Sequence, residues 1–96
     1  MKSDNFLKCV VDDNRRNILL FIDKEEKSVN EIVDYTNLEQ SLVSHHLYQL
    51  KCCGLVKSRQ SGKKILYKVS RVEIIDILKE IEHVSTKIKS RGECDR

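Results

Sequence analysis

A chain of 96 residues with a net charge of +3, 34% of them charged and 40% hydrophobic, has room for one domain, which leaves no space for a large catalytic pocket. A domain of this size buries only about 60–65% of its unfolded surface, so a second copy is expected to supplement a thin core. The absence of proline and the presence of only three glycines exclude a turn-rich β-sandwich and favour helices.

The first stretch, MKSDNFLKCVVDDN, carries no long apolar run. Neither a signal peptide nor a membrane anchor is expected there, and a cytoplasmic location follows, in which the thiols stay mostly reduced. Phe6, Leu7, Val10 and Val11 stand at helical spacing and predict a short first helix. Asp12 and Asp13 can cap a second, with Ile18, Leu19, Phe21 and Ile22 in one broad apolar stripe. Lys24 to Lys27 reads as a charged connector. Ser28-Val29-Asn30-Glu31 has the spacing of a capping box, in which hydroxyl and carboxylate each take an orphan backbone N–H. It opens a third helix with Val29, Ile32 and Val33 inward. A tight turn over Thr36-Asn37-Leu38 leads to a fourth helix, about Glu39 to Cys53. Leu42, Val43, Leu47 and Leu50 are expected inside, and Gly54 ends the helix. Two short helices joined by a three- or four-residue turn form a helix-turn-helix.

After Gly54 the period changes. Leu55–Gln60 and Lys63–Val69 read as strands around a Ser61-Gly62 tip, a hairpin with basic residues at its end. The last helix, about Arg71 to Lys89, repeats Ile74, Ile77, Ile81, Val84 and Ile88 at 3-4-3-4 spacing, the seam of helices packed along each other. Ile75 and Leu78 widen that stripe beyond what one small domain needs, which favours a homodimer over packing on the protomer's own core alone. The fold expected is mainly α with a small β-hairpin, in the order α-α-α-α-β-β-α, as one winged helix-turn-helix domain over 1–96. Within it, 1–11 and 71–89 are dimerisation helices that include Phe6 and Val10, 28–53 is the helix-turn-helix, 55–69 the wing and 90–96 a frayed tail.

Charge is unevenly placed along this plan. Residues 40–72 contain no Asp or Glu but hold seven of the 18 basic residues, which leaves 11 basic against 15 acidic elsewhere, a net of −4. Such a block is either a solvated basic surface or a face for a polyanion, and its length favours the polyanion.

The stretch SVNEIVDYTNLEQSLVSHHLYQLKCCGLVKSRQSGKKILYKV resembles the ArsR/SmtB-type winged-helix repressors. Gln40-Ser41-x-Val43-Ser44-His45-His46-Leu47-x-x-Leu50 is similar to the family's recognition helix. Gly54-Leu55-Val56 and Arg59-x-x-Gly62-Lys63-x-x-x-Tyr67 are similar to its first wing strand and wing. The resemblance implies a sequence-specific regulator, a repressor that binds double-stranded DNA at an inverted repeat as a homodimer. The fourth helix would enter the major groove, with Gln40, Ser41, Ser44 and His45 facing base edges. Neighbouring helix positions diverge, so of His45 and His46 one is expected to face DNA while the other packs near the core or wing. Lys57, Arg59, Lys63 and Lys64 would meet phosphates or the minor groove. Many relatives have Ser where this chain has Glu39. A carboxylate there suits the helix dipole but repels phosphate, so Glu39 is expected to point away from DNA or to weaken binding.

No cofactor is required by the resemblance, although its members commonly respond to metals, metalloids or oxidants. The family's Cys-rich site in the third helix aligns with Glu31 to Tyr35, which has no Cys. Its site across the last helices aligns with Arg71, Glu73, Val84 and Lys87, which cannot hold zinc. A third pattern is partly present: Cys53 matches a helix cysteine, Cys52 stands beside it where Gln49 replaces the second, and Cys94 lies in the tail. These thiolates suit a thiophilic metal or metalloid, but adjacent helical residues point about 100° apart, and two small buried apolar side chains is the other reading. A Cys9–Cys94 disulfide is a redox alternative. His83 has no partner one turn on and reads as a surface histidine. No Gly-rich phosphate loop and no nucleophile-base-orienter set is present, so no enzyme is expected. A protein-interaction module without DNA contact would not need the acid-free block.

Overall fold

The computed structural model describes residues 3–88, so the tail expected over 90–96, with Cys94, lies outside the described residues. The elements are α1 (Ser3–Val10), α2 (Asp13–Ile22), β1 (Lys27–Ser28), α3 (Val29–Thr36), α4 (Gln40–Cys52), β2 (Val56–Ser61), β3 (Lys64–Val69) and α5 (Val72–Ile88). The three strands form one antiparallel sheet in the order β1-β3-β2. It is a winged helix-turn-helix.

Local chemistry accounts for most boundaries. Asp12 caps α2 by accepting from the Arg15 N–H at 3.1 Å. Ser28 and Glu31 form the full capping box of α3: the Ser28 hydroxyl accepts from the Glu31 N–H at 3.2 Å, and the Glu31 carboxylate accepts from the Ser28 N–H at 2.8 Å. Asn37 ends α3 in a left-handed conformation at φ 60°, and the short polar Asn side chain tolerates that region better than most. Gly54 at φ 82° turns the chain from α4 into β2, where any side chain would be strained.

Three expectations are corrected. The connector after α2 holds a strand: Lys27 pairs with Tyr67 and Ser28 with Leu66, so the sheet has three strands where a two-stranded hairpin was expected. Two residues are too few for an alternating pattern to register. The hairpin tip is Gly62-Lys63, one residue later than expected, because Ser61 pairs with Lys64. On α4, Leu42 is 39% exposed and His46 only 6%. The inward row is Val43, His46, Leu47 and Leu50, spaced i, i+3, i+4, i+7, and Leu42, expected inside, falls off that row.

The core is continuous. Ile18, Leu19 and Ile22 of α2 pack with Ile32 of α3, Val43, Leu47 and Leu50 of α4, Val56 and Val69 of the sheet, and Ile75 and Leu78 of α5. Helix α2 is the centrepiece, in contact with α1, α3, α4, α5 and β3. Phe21 at its edge stacks on Tyr35, with centroids 4.2 Å apart, and Lys27 lies over the Phe21 ring. Two arginines join α1 to α2: Arg15 donates to the Cys9 carbonyl at 3.4 Å and Arg16 to that of Val10. Those carbonyls end α1 and have no partner within the helix. Val10 is 5% exposed and Ile74 8%, so both face the protomer's own core. Their place in the expected dimer surface is corrected: a side chain already packed has no surface left for a second copy.

Candidate nucleic-acid interface

The Asn37 turn and the anchoring of Val43, His46, Leu47 and Leu50 hold α4 against the core and present its other face to solvent. Gln40, Ser41, Ser44 and His45 are all exposed on that face or at its N-terminal end. Tyr48, one turn beyond Ser44, extends it and is 62% exposed. The spacing 41-44/45-48 would have included Tyr48, but an aromatic in a helix is more often read as core. Beside it stands Cys52, whose side chain raises the Tyr48 phenol above its ordinary value.

Glu39 is the N-cap of α4 through its backbone alone. Its carbonyl accepts from the Leu42 and Val43 N–H groups at 3.1 and 3.0 Å, while its exposed carboxylate makes no capping bond. The α4 N-terminus therefore keeps its unpaired N–H groups in the company of Gln40 and Ser41.

The wing joins this face at its tip. Gln40, Asn30 of α3, and Lys63 and Lys64 of the hairpin border a single groove between the N-terminal ends of α3 and α4 and the tip. Asn30 was not singled out in the sequence, since nothing in the capping box distinguishes its second interior position. Lys57 and Arg59 lie in a separate groove on the opposite side of the wing, with Glu26, Ser58 and Lys68. There the Arg59 guanidinium clasps Glu26 as a two-bond fork at 2.6 and 2.7 Å. That fork holds Arg59 above its ordinary pKa and Glu26 below its own. Arg59 is thus engaged by an acid from the loop before β1, whereas Lys63 and Lys64 have no ion-pair partner among the described residues. Lys51 donates to the Ser58 hydroxyl at 2.8 Å and ties the end of α4 to β2.

Beneath the exposed face, both ring nitrogens of His46 are buried without a hydrogen-bond partner. Burial lowers its pKa below the ordinary 6.5. The Asp12 carboxylate opposes that shift, and Arg15 and His45 reinforce it. The neighbouring His45 ring, 6.1 Å away, is exposed. The two histidines thus divide as expected, one inside and one out.

The cysteines depart from every sequence-level arrangement. Cys9 is paired with Cys53, their Cα atoms 6.8 Å apart, so the expected Cys9–Cys94 bridge is corrected. Cys53 was read with Cys52 either as a ligand or as a buried apolar side chain. Cys52 is exposed, and Cys53 is half-buried and bonded to Cys9. The pairing was not legible because it spans 44 residues and depends on how α1 lies across the end of α4. Among the described residues no group of three or more His, Cys, Asp or Glu side chains is placed to hold a metal ion. His83 is exposed on α5.

Helix α5 offers a surface of another kind. Ile77, Ile81, Val84 and Ile88 are 42–71% exposed along one side, and no residue from Lys79 to Ile88 is buried. Phe6 is half-buried against the core, while Leu7 and Val11 are exposed at 59% and 73%. No helix of the described residues is long and apolar enough to cross a membrane.

Comparison with known proteins joins this geometry to a family. The sequence profile described as "Bacterial regulatory protein, arsR family" matches residues 12–58, from the cap of α2 to the start of the wing. Its winged helix-turn-helix is similar to that of the ArsR family. The chain is similar to a probable mercury resistance operon repressor of Streptomyces lividans, 34% identical over 73 residues that cover 76% of this chain and 58% of the relative. It is 38% identical to the transcriptional repressor SmtB of Mycobacterium tuberculosis over 53 residues, covering 55% of this chain and 39% of the relative. The chain therefore spans about half the length of these curated relatives. Among solved structures, reduced HlyU from Vibrio cholerae superposes with a TM-score of 0.78 at 28% identity, covering 85% of this chain and 86% of that one. The ArsR-family match spans the whole helix-turn-helix, including Ser41, Ser44 and His45.

Proposed function

We propose that this chain is a sequence-specific, DNA-binding transcriptional regulator of the ArsR family, a repressor that binds an inverted-repeat operator as a homodimer. One observation carries the reading: Gln40, where the exposed polar face of α4 begins, borders one groove with the unpaired wing-tip lysines Lys63 and Lys64, and no acidic residue lines that groove. Helix α4 enters the major groove, where Gln40, Ser41, Ser44 and His45 offer donors and acceptors to base edges. Lys63 and Lys64 sit where the flanking phosphates pass, and Asn30 adds an amide to that groove. Lys57 lies further along the wing. Arg59, itself exposed, reaches phosphate by exchanging its half-buried Glu26 partner, and surface pairs are easily exchanged.

The homodimer forms along α5. No residue from Lys79 to Ile88 is buried in its own protomer, and an apolar side of four aliphatic residues along a single helix fits a second copy of itself. Leu7 and Val11 extend the surface from the α1 end, and Phe6 backs it. Helix pairing then fixes the separation of the two α4 helices, roughly 34 Å for half-sites one turn of DNA apart. The protein acts where the DNA is, in the cytoplasm, and we assign it no catalytic activity.

The test is binding to duplexes selected from a random pool, measured by fluorescence anisotropy over a salt series. The expected result is an inverted-repeat consensus and a steep fall in affinity with salt, as counterion release requires. Affinity that is flat in salt removes the reading.

A further inference from the structure

We propose that Cys9 and Cys53 form a reversible thiol–disulfide couple, oxidised by hydroperoxides, whose state sets the affinity of this chain for DNA; the proposal rests on the DNA-binding reading above and adds its control.

Three observations on different parts of the molecule meet at this pair. The first is mechanical. Cys9 is the next-to-last residue of α1, at the terminal end expected to touch a second copy, and Cys53 is the C-cap of α4, the helix that meets DNA. The bond between them is a direct covalent link from one of these elements to the other, 44 residues apart. Two bonded sulfurs lie about 2 Å apart and two touching thiols about 3.5 Å, so reduction removes the tether and frees the end of α1 to shift against the end of α4 by an amount on the order of 1 Å. A shift of that size where α1 meets a second protomer alters how the two α4 helices are set toward one duplex.

The second is access. A cavity of about 470 Å³ opens over the pair, lined by Lys8, Arg15, Gln49 and Cys52 as well as the two bonded cysteines. Two of its lining groups, Lys8 and Arg15, are cationic. Cys9 is only 3% exposed and its sulfur sits 3.9 Å from the Gln49 carbonyl, while Cys53 is half-buried. Cys53 is therefore the sulfur a small oxidant reaches, and Cys9 the one that resolves.

The third is the setting. A protein that meets DNA works where thiols are held reduced, and a disulfide in that setting is transient and signalling rather than a permanent staple. The resting form is the dithiol. The Cys53 thiolate attacks one oxygen of the hydroperoxide, the O–O bond breaks, and Cys53 becomes a sulfenic acid as water or an alcohol leaves with a proton. The Cys9 thiolate then displaces hydroxide from the Cys53 sulfur, the S–S bond forms, and the hydroxide takes up a proton as water. The two sulfurs together lose two electrons, which reduce the peroxide. A low-molecular-weight thiol reverses the step by exchange. For a repressor whose resting, reduced form occupies its operator, oxidation is the releasing signal.

The experiment uses the full chain and a fluorescein-labelled duplex of roughly 30 base pairs, long enough for two half-sites, selected against the reduced protein. Treatment with hydrogen peroxide is expected to raise the dissociation constant at least tenfold, and dithiothreitol to restore it. Mass spectrometry of the digest should find the Cys9 and Cys53 peptides joined with the loss of two hydrogens. Cys53→Ser and Cys9→Ala should hold the reduced affinity under peroxide, and Cys52→Ser should respond as the parent does. Circular dichroism confirms that the Cys9 variant folds, and the half-buried Cys53 position gives an independent reading should it not. Equal affinity in both states, a full response in the Cys53 variant, or loss of response in Cys52→Ser overturns the couple. A parent chain that binds no duplex in either state overturns the DNA reading instead, which is a separate failure.

Discussion

Helices α4 and α5 both bury one side in the same core and leave the other bare, but the bare sides differ in kind. On α4 the exposed side is Ser41, Ser44, His45 and Tyr48, a row of donors, acceptors and one amphipathic ring. On α5 it is Ile77, Ile81, Val84 and Ile88. A polar face costs little to leave in water and gains only when a partner matches its hydrogen bonds, so it serves recognition that forms and breaks. An aliphatic face of that length costs free energy while it stays wet, so it serves a standing association. The small core explains the asymmetry: α2 occupies its middle, and α5 runs past its edge with more than half its length beyond any burial.

The comparison breaks most readily at α5. Ile81→Lys places a charge in the middle of the seam. Full burial of an isoleucine contributes about 1.5–3 kcal/mol, and a symmetric dimer loses two, so the dimer dissociation constant should rise roughly a hundredfold or more. Sedimentation over a concentration series measures it, and half-site spacing should cease to matter for DNA binding. A variant that sediments as the parent does would place the partner of α5 elsewhere.

The converse test is made on α4. Ser44→Ala combined with His45→Ala should weaken binding to the selected duplex by about 1–3 kcal/mol for each base edge left unbonded, while sedimentation stays unchanged. Non-specific binding should persist. If the double variant also shifts the dimer, the two faces are not separate.

How far these faces could be read beforehand differs between them. The α5 seam is a repeat of one residue class at fixed spacing, and the sequence shows it directly, although two residues expected in the dimer surface, Val10 and Ile74, turn inward. The α4 face was legible through its Ser and Gln positions and in the division of its two histidines, but Tyr48 was missed because an aromatic reads as core, and Leu42, expected inside, faces solvent. Elements that depend on meeting distant residues were not legible. Strand β1 exists only because β3 passes beside Lys27 and Ser28, the Arg59–Glu26 fork only because the wing folds back over the loop after α2, and the Cys9–Cys53 pair only because α1 crosses the end of α4.

The wing sharpens the comparison by its charge alone. Lys63→Ala with Lys64→Ala should weaken binding to all duplexes alike and reduce the slope of log affinity against log salt by about 2, one for each phosphate neutralised. Arg59→Ala should change that slope less, because Arg59 is already engaged by Glu26. An anisotropy series at several salt concentrations distinguishes them, and an unchanged slope in the Lys63/Lys64 variant would move the phosphate path off the tip.

The smallest effect lies under α4, at His46. Its imidazole is buried without a hydrogen-bond partner and its pKa in the folded chain lies below 6.5, chiefly because burial disfavours the charged form. Above pH 6.5 the ring is neutral both folded and unfolded, and pH does not act through it. As pH falls through 6.5 the unfolded chain takes up a proton there that the folded chain does not, so stability declines from that point down to the folded pKa and then levels. The groups facing the ring set the size of the decline: the Asp12 carboxylate softens it, and the charges of Arg15 and His45 deepen it. Urea denaturation at intervals between pH 7.5 and 5 should show the decline in the parent and a shallower one in His46→Leu, which keeps an apolar side chain in the Val43, Leu47 and Leu50 row. Because α4 carries the polar face on its other side, loosening at His46 should reach DNA binding before it reaches the α5 seam. In that pH range the operator affinity should therefore fall while the sedimentation of the dimer holds, and a dimer that dissociates first would show that the two helices do not draw on the core in the way their exposed faces imply.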